Sequence, residues 1–168
     1  MTDVETIART LYAEAAHRPV RAIEALAALA VNRARAALPR PVRIAGAAPF
    51  APGGHARLPE PGAREVAAAA RDPFAFPCRN PRHPAHARLE GPGADPGMAI
   101  CRRVAARAAS SALPDLTGGA THWHDIATLP AWAVGQAATA EIGGLVFYRP
   151  DAAAPPLPAA RPALVAVA

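Results

Sequence analysis

The sequence predicts an α+β fold, mostly helical, with a short β-hairpin or sheet near the C-terminal part. Three observations carry this. Apolar residues recur at helical spacing in four segments before residue 112, with capping signals at two of the starts. Strand-like residues with alternation cluster at 119–125 and 142–148. Proline makes up 20 of 168 residues, which excludes an all-helical bundle joined by short loops.

Thr2 and Glu5 form a Thr-x-x-Glu capping pattern, and Val4, Ile7, Ala8, Leu11 and Ala15 follow at helical spacing, predicting a first helix over about 3–16. Pro19 suits the first turn of a second helix. Its buried stripe is Ile23, Leu26, Ala27, Ala30, Val31 and Ala34, and Leu38-Pro39 ends it. Residues 39–61 have no clear period and read as a long loop. A short Ala-rich helix is expected at 62–71, stopped by Arg71-Asp72-Pro73, and 73–96 is read as irregular. Asp95-Pro96 is an N-cap followed by proline at the first helical position, opening a helix over about 97–112 with Cys101, Val104, Ala105 and Ala108 inward. Pro130–Val134 reads as a helical turn. Ile142–Tyr148 reads as a turn entering a strand that pairs with 119–125. Residues 1–149 make one domain and 150–168 a loose Pro/Ala-rich tail.

The composition bounds the core. Apolar types are 52% of the chain, yet 47 residues are alanine and only 32 are Leu, Ile, Val or Phe. That approaches the composition of disordered chains, but a net charge of +5 is too small to complete the pattern. A small, alanine-packed core is expected. All 18 basic residues are arginine, and a pI near 10.5 favours polyanionic surroundings: nucleic acid, anionic lipid headgroups or cell wall. No nucleic-acid motif and no arginine run accompanies the charge. The apolar stretch Ala25–Val31 is too short to span a bilayer, and the acidic start Met1–Glu5 is unlike a signal peptide, so synthesis in the cytoplasm is expected. Two cysteines, Cys78 and Cys101, make no disulfide scaffold; a free pair is the default and one bridge the alternative.

Two clusters can carry chemistry. Glu14 lies within about 20° of Ile7 on a helical wheel, at the edge of the apolar face and in the last turn of its helix. The negative end of the helix dipole and partial burial both raise a carboxyl pKa, as a general acid at a glycosidic oxygen requires. The other reading is a helix-edge carboxylate paired with Arg18 or another arginine. The second cluster is His122-Trp123-His124-Asp125. On a strand, His122 and His124 share one face and Trp123 takes the other. Such a pair can hydrogen-bond a sugar or bind zinc, the latter needing a third ligand such as His83, His86 or Cys78. No HExxH or paired CxxC is present. Ser110 and Ser111 sit outside any nucleophile elbow, Cys78 lacks a local nucleophile signature, and Gly53-Gly54 and Gly118-Gly119 lack phosphate-loop spacing.

Over about residues 5–148 the chain resembles the SleB/CwlJ-type cell wall hydrolases. Ala8-Arg-Thr-Leu-Tyr-Ala-Glu-Ala15 is similar to that family's Ala-Arg-x-x-Tyr-Gly-Glu-Ala motif, and Val31-Asn32-Arg33 to its Asn-Arg pair. Phe76-Pro-Cys-Arg-Asn80 is similar to a Phe-Ser-Cys-Trp-Asn segment. Asp115–His124, Pro130-Ala-Trp132 and Ile142–Tyr148 are similar to the family's Thr-x-Gly-Ala-x-x-Tyr/Phe-His block and its Pro-x-Trp-Ala and Ile-Gly-x-His-x-Phe-Tyr ending. The chain departs from the pattern at Arg18, where the family has an acidic residue, at Arg79 for a tryptophan and at Leu145 for a histidine.

The resemblance implies a lysozyme-like α+β domain cleaving the muramic acid–glucosamine bond of peptidoglycan, with Glu14 as the catalytic acid and no cofactor or metal. It implies substrate contacts from Tyr12, Thr121, His122, Trp123, His124, Phe147 and Tyr148. Lytic transglycosylation needs one carboxyl group. Hydrolysis needs a second, roughly 5–9.5 Å away, with Asp125 and Asp115 the candidates. The expected partner is peptidoglycan, reached after release from the cell, rather than nucleic acid. A zinc-dependent amidase or peptidase and a basic nucleic-acid-binding module are the rival classes.

Overall fold

The computed structural model describes residues 1–39, 59–90 and 95–150. The expected loop at 39–61 and the expected tail at 150–168 lie almost wholly outside these residues. The architecture is α+β: the described residues form four α-helices, α1 (Asp3–Ala15), α2 (Val20–Ala37), α3 (Ala63–Ala70) and α4 (Pro96–Ala109), with a small antiparallel sheet toward the C-terminus. Among the described residues no helix is long and apolar enough to cross a membrane.

The caps place the helices. Thr2 Oγ1 accepts the Glu5 N–H at 3.2 Å, but the reciprocal half of the capping box is missing, because the Glu5 carboxylate pairs instead with Arg9 and Arg102. Asp95 caps α4 by accepting the Gly97 N–H at 2.7 Å, with Pro96 in the first turn. Helix α4 stops at Ala109, earlier than its periodicity predicts, where Ser110 becomes the C-cap and Ser111 takes a positive φ of 54°. Helix α2 is buried on nearly every side, from Ala22 to Val31, with α1, α3 and α4 packed around it. Its alanines let the surrounding backbones approach closely, so the few large side chains (Ile7, Leu11, Ile23, Leu26, Leu29, Phe76, Met98 and Phe147) suffice to fill one core.

The sheet holds β1 (His122–Asp125), β2 (Ala138–Ile142) and β3 (Leu145–Tyr148) in the order β1-β3-β2, with antiparallel pairing. The expected pairing of 119–125 with 142–148 is present, in the register His122 to Tyr148 and Asp125 to Leu145. Strand β2 is an addition that sequence reasoning missed. Gly143 and Gly144, with φ of 59° and 79°, make the two-residue turn between β2 and β3. A Cβ on Gly143 would lie 2.8 Å from the Ala22 Cβ, so the turn docks against the start of α2 where only glycine fits. Leu145 and Phe147 face the main core, while Val146 and Tyr148 form a smaller cluster with Ala133.

The end of α2 fixes the approach to β1. Asn32 is buried, and its amide lies within hydrogen-bond reach of Asp115 Oδ2 at 3.1 Å, Ala120 O at 3.2 Å and Thr117 Oγ1 at 3.3 Å. Arg33 donates to Thr121 O at 3.0 Å and pairs with Asp72. Asn32→Ala removes the side-chain donor to the buried Ala120 O and one donor each from Thr117 and Asp115. It is expected to lower unfolding stability by about 1–3 kcal/mol in urea melts; a loss below about 0.5 kcal/mol would remove Asn32 from this role.

Candidate active site

The last turn of α1, the 74–88 segment and β1 with the residues after it enclose a cleft of about 570 Å³. Glu14 and the strand His122-Trp123-His124-Asp125 both line it. Ala13 and Ala15 anchor the end of α1 in the core, which leaves Glu14 between them, half-buried at the edge of the apolar face. The ion pair with Arg18 that would make Glu14 a plain surface carboxylate is absent, since Arg18 binds Asp125 and donates to Gly143 O at 2.9 Å.

Glu14 Oε1 instead accepts the backbone N–H of Cys78 at 2.7 Å. That donor is free because Cys78 lies in a one-turn 3-10 helix, Pro77–Arg79, whose leading amides have no internal partner. Burial pushes the Glu14 carboxyl above its ordinary range. The Cys78 amide and thiol, and then the charges of His83 and Arg88, oppose this without cancelling it.

The turn itself is pinned by Phe76, fully buried, and by Arg79, at the position where the resembled segment has tryptophan. The Arg79 guanidinium enters between helices and donates to Thr10 Oγ1 at 3.0 Å, Ala70 O at 3.2 Å and Thr6 O at 2.9 Å. The Cys78 thiol points inward, 3.9 Å from Thr10 O. Burial, with the neighbouring Glu14 charge second, holds it protonated far above its ordinary range, which removes it as a nucleophile. Both cysteines are free and buried.

The facing wall follows the strand alternation. Trp123 turns toward the core and donates from Nε1 to Ala75 O at 2.7 Å. His124 is fully engaged. Its Nδ1 lies 2.8 Å from Asp125 O, which can only accept, so Nδ1 carries the hydrogen, and Nε2 lies 3.1 Å from the Tyr148 hydroxyl. His122 is freer: Nδ1 meets Thr121 Oγ1 at 3.0 Å, and burial, followed by the Arg33 charge, lowers its pKa and favours the neutral ring. Trp132 packs on this face, with ring centroids 5.6 Å from His122 and 5.3 Å from Tyr148.

Several expected contacts are not in the cleft. Tyr12 projects from the other side of α1 and donates to Asp95 at 2.8 Å, because two residues along a helix turn a side chain by about 200°. Phe147 is core, and Tyr148 supports His124 from beneath. Asp115 lies outside the cleft and closes its own turn by accepting from Thr117 and Gly119. Asp125 does line the cleft, but the Ala127 amide, and beyond it Arg18, hold its carboxyl below the ordinary range, so it stays ionised and donates no proton.

His83, named from the sequence only as a possible zinc ligand beside His122 and His124, lines the cleft; His17, Phe74 and Arg88 were missed as cleft residues, the last two lying in the 73–96 segment that has no period to read. Among the described residues no three His, Cys, Asp or Glu side chains gather as metal ligands. No family model, curated protein or solved structure matches this chain.

The raised Glu14 pKa has a consequence for stability. Below about the ordinary value of 4.5, the carboxyl is largely protonated in both the folded and the unfolded chain. As pH rises through the folded value, ionisation costs more in the folded state and stability falls. A Gln at position 14 keeps an acceptor for the Cys78 N–H without the charge. Glu14→Gln is therefore expected to match the parent near pH 4 and exceed it at pH 7–8 in urea unfolding; an equal destabilisation at both values would contradict the burial of this carboxyl.

Proposed function

We propose that the protein cleaves the glycan strand of peptidoglycan between N-acetylmuramic acid and N-acetylglucosamine, with Glu14 as its single acid and base. The observation that carries this reading is the half-buried Glu14 carboxyl, oriented by the Cys78 amide, facing the His122–Asp125 strand across one cleft. A helical body with a small sheet on one side of that cleft fits the lysozyme-like arrangement implied by the SleB/CwlJ-type resemblance.

In the proposed cycle Glu14 gives its proton to the glycosidic oxygen as the bond to the anomeric carbon breaks. The C6 hydroxyl of the muramic sugar then attacks that carbon and returns its proton to Glu14. The product is a 1,6-anhydro end, no water is consumed, and the carboxyl is restored. Asp125 favours this route over hydrolysis through a second carboxyl group, because Arg18 already occupies it. It contributes a fixed negative charge to the wall rather than a proton. His122 and Thr121 present hydrogen-bonding groups to the sugar, and Trp132 with Phe74 offers apolar faces at the rim.

Digestion of purified peptidoglycan followed by mass analysis is expected to release fragments with anhydro-muramic ends. Glu14→Gln should lower the rate by about 10²–10⁴. Because Glu14 must begin the cycle protonated, activity should fall as pH rises through its raised pKa, at a higher pH than an ordinary glutamic acid would set. Freed peptides, or an undiminished rate in Glu14→Gln, would overturn the reading.

A further inference from the structure

The charges lining the cleft are unevenly used. Among the described residues its carboxyl groups are Glu14 and Asp125. Burial raises the Glu14 pKa, and Asp125 is matched by Arg18, whose Nη1 is also spent on Gly143 O. Arg88, on the opposite wall in the 3-10 segment Pro84–Leu89, is exposed and takes part in no ion pair among the described residues. The other arginines that keep an ion pair are tied to Glu5, Asp3, Asp72, Glu60 or Glu24, and none of them lines the cleft. The cleft therefore presents, beside Glu14 in its lining, a guanidinium with no carboxylate partner among the described residues. A guanidinium fork in a partly enclosed cleft is the natural partner of a carboxylate, which it binds through two parallel N–H donors.

We propose that Arg88 is a specificity residue that anchors a carboxylate of the substrate, so that the cleft selects acidic glycans over neutral ones. This rests on the glycan-cleaving reading and adds the chemical class that the site distinguishes. In peptidoglycan the carboxylate has two sources: the lactyl group of a muramic residue without its peptide, and the acidic groups of an attached stem peptide. Arg88 acts in binding and touches no reacting atom.

The test uses the full chain carrying Glu14→Gln, which holds substrate without turning it over. Its affinity is measured for three strand preparations: with stem peptides attached, with peptides enzymatically removed to leave lactyl carboxylates, and the stripped strands with those carboxylates converted to amides. At least one carboxylate-bearing preparation should bind about tenfold tighter than the amidated one, and whichever does identifies the source. Adding Arg88→Gln should bring that ratio to about one, and Arg88→Lys should fall between. An unchanged ratio in Arg88→Gln, or no preference to begin with, overturns the proposal. Each comparison is a ratio within one variant, so a general loss of folded protein does not imitate the effect. The two claims separate cleanly. Carboxylate-dependent binding through Arg88 with no strand cleavage by the unsubstituted protein would leave this inference standing and remove the proposed reaction, and cleavage with no carboxylate preference would do the reverse.

Discussion

The contact between the Cys78 amide and the Glu14 carboxyl organises this molecule. A carboxyl at the C-terminal end of a helix meets an unfavourable dipole, and half-burial makes its ionised form costlier still. One backbone donor is enough to fix its orientation and too little to restore the lost hydration. The donor can do this because its turn does not move: Phe76 is sunk in the core and Arg79 ties the turn to α1 and α3. The opposite wall is held by equally specific means, with Asn32 and Arg33 gripping the approach to β1 and Arg18 strapping its far end to the link between α1 and α2. Arg18 and Arg79, the two places where the chain departs most in charge from the pattern it resembles, are both used to hold the cleft together.

Much of the scaffold was legible in the sequence because its rules are local. Helical periodicity and the Asp95-Pro96 cap place the helices to within about a turn, and the alternation at 122–125 correctly separates Trp123 from the two histidines. Strand β2 was not legible: Ala-Thr-Ala-Glu-Ile has neither clear alternation nor many β-branched residues, and it becomes a strand by pairing with β3. The two 3-10 segments of 73–96 were invisible for a similar reason, and with them went Phe74 and Arg88.

The cleft was half legible. Glu14 could be singled out from its place on the helix edge, and its opposition to the His122 strand was expected on resemblance alone. What a linear reading could not supply was the assignment of partners. Asp125 lines the same cleft as Glu14 yet is paired with Arg18, and His124 looks free in sequence yet has both ring nitrogens engaged. Tyr12, two residues from Glu14, faces away from it. Partner choice depends on side chains brought together from distant parts of the chain, so proximity in sequence misleads where helix geometry turns neighbours apart.

The division of labour that results is simple. Burial raises the pKa of Glu14, the Ala127 amide and Arg18 lower that of Asp125, and burial keeps the cysteine beside Glu14 protonated. The whole account depends on the first of these. The most direct measurement is a nuclear magnetic resonance titration of the Glu14 side-chain carboxyl carbon in the folded protein. The account requires its midpoint to lie above the ordinary glutamic acid value of 4.5; a midpoint at or below that value would contradict it.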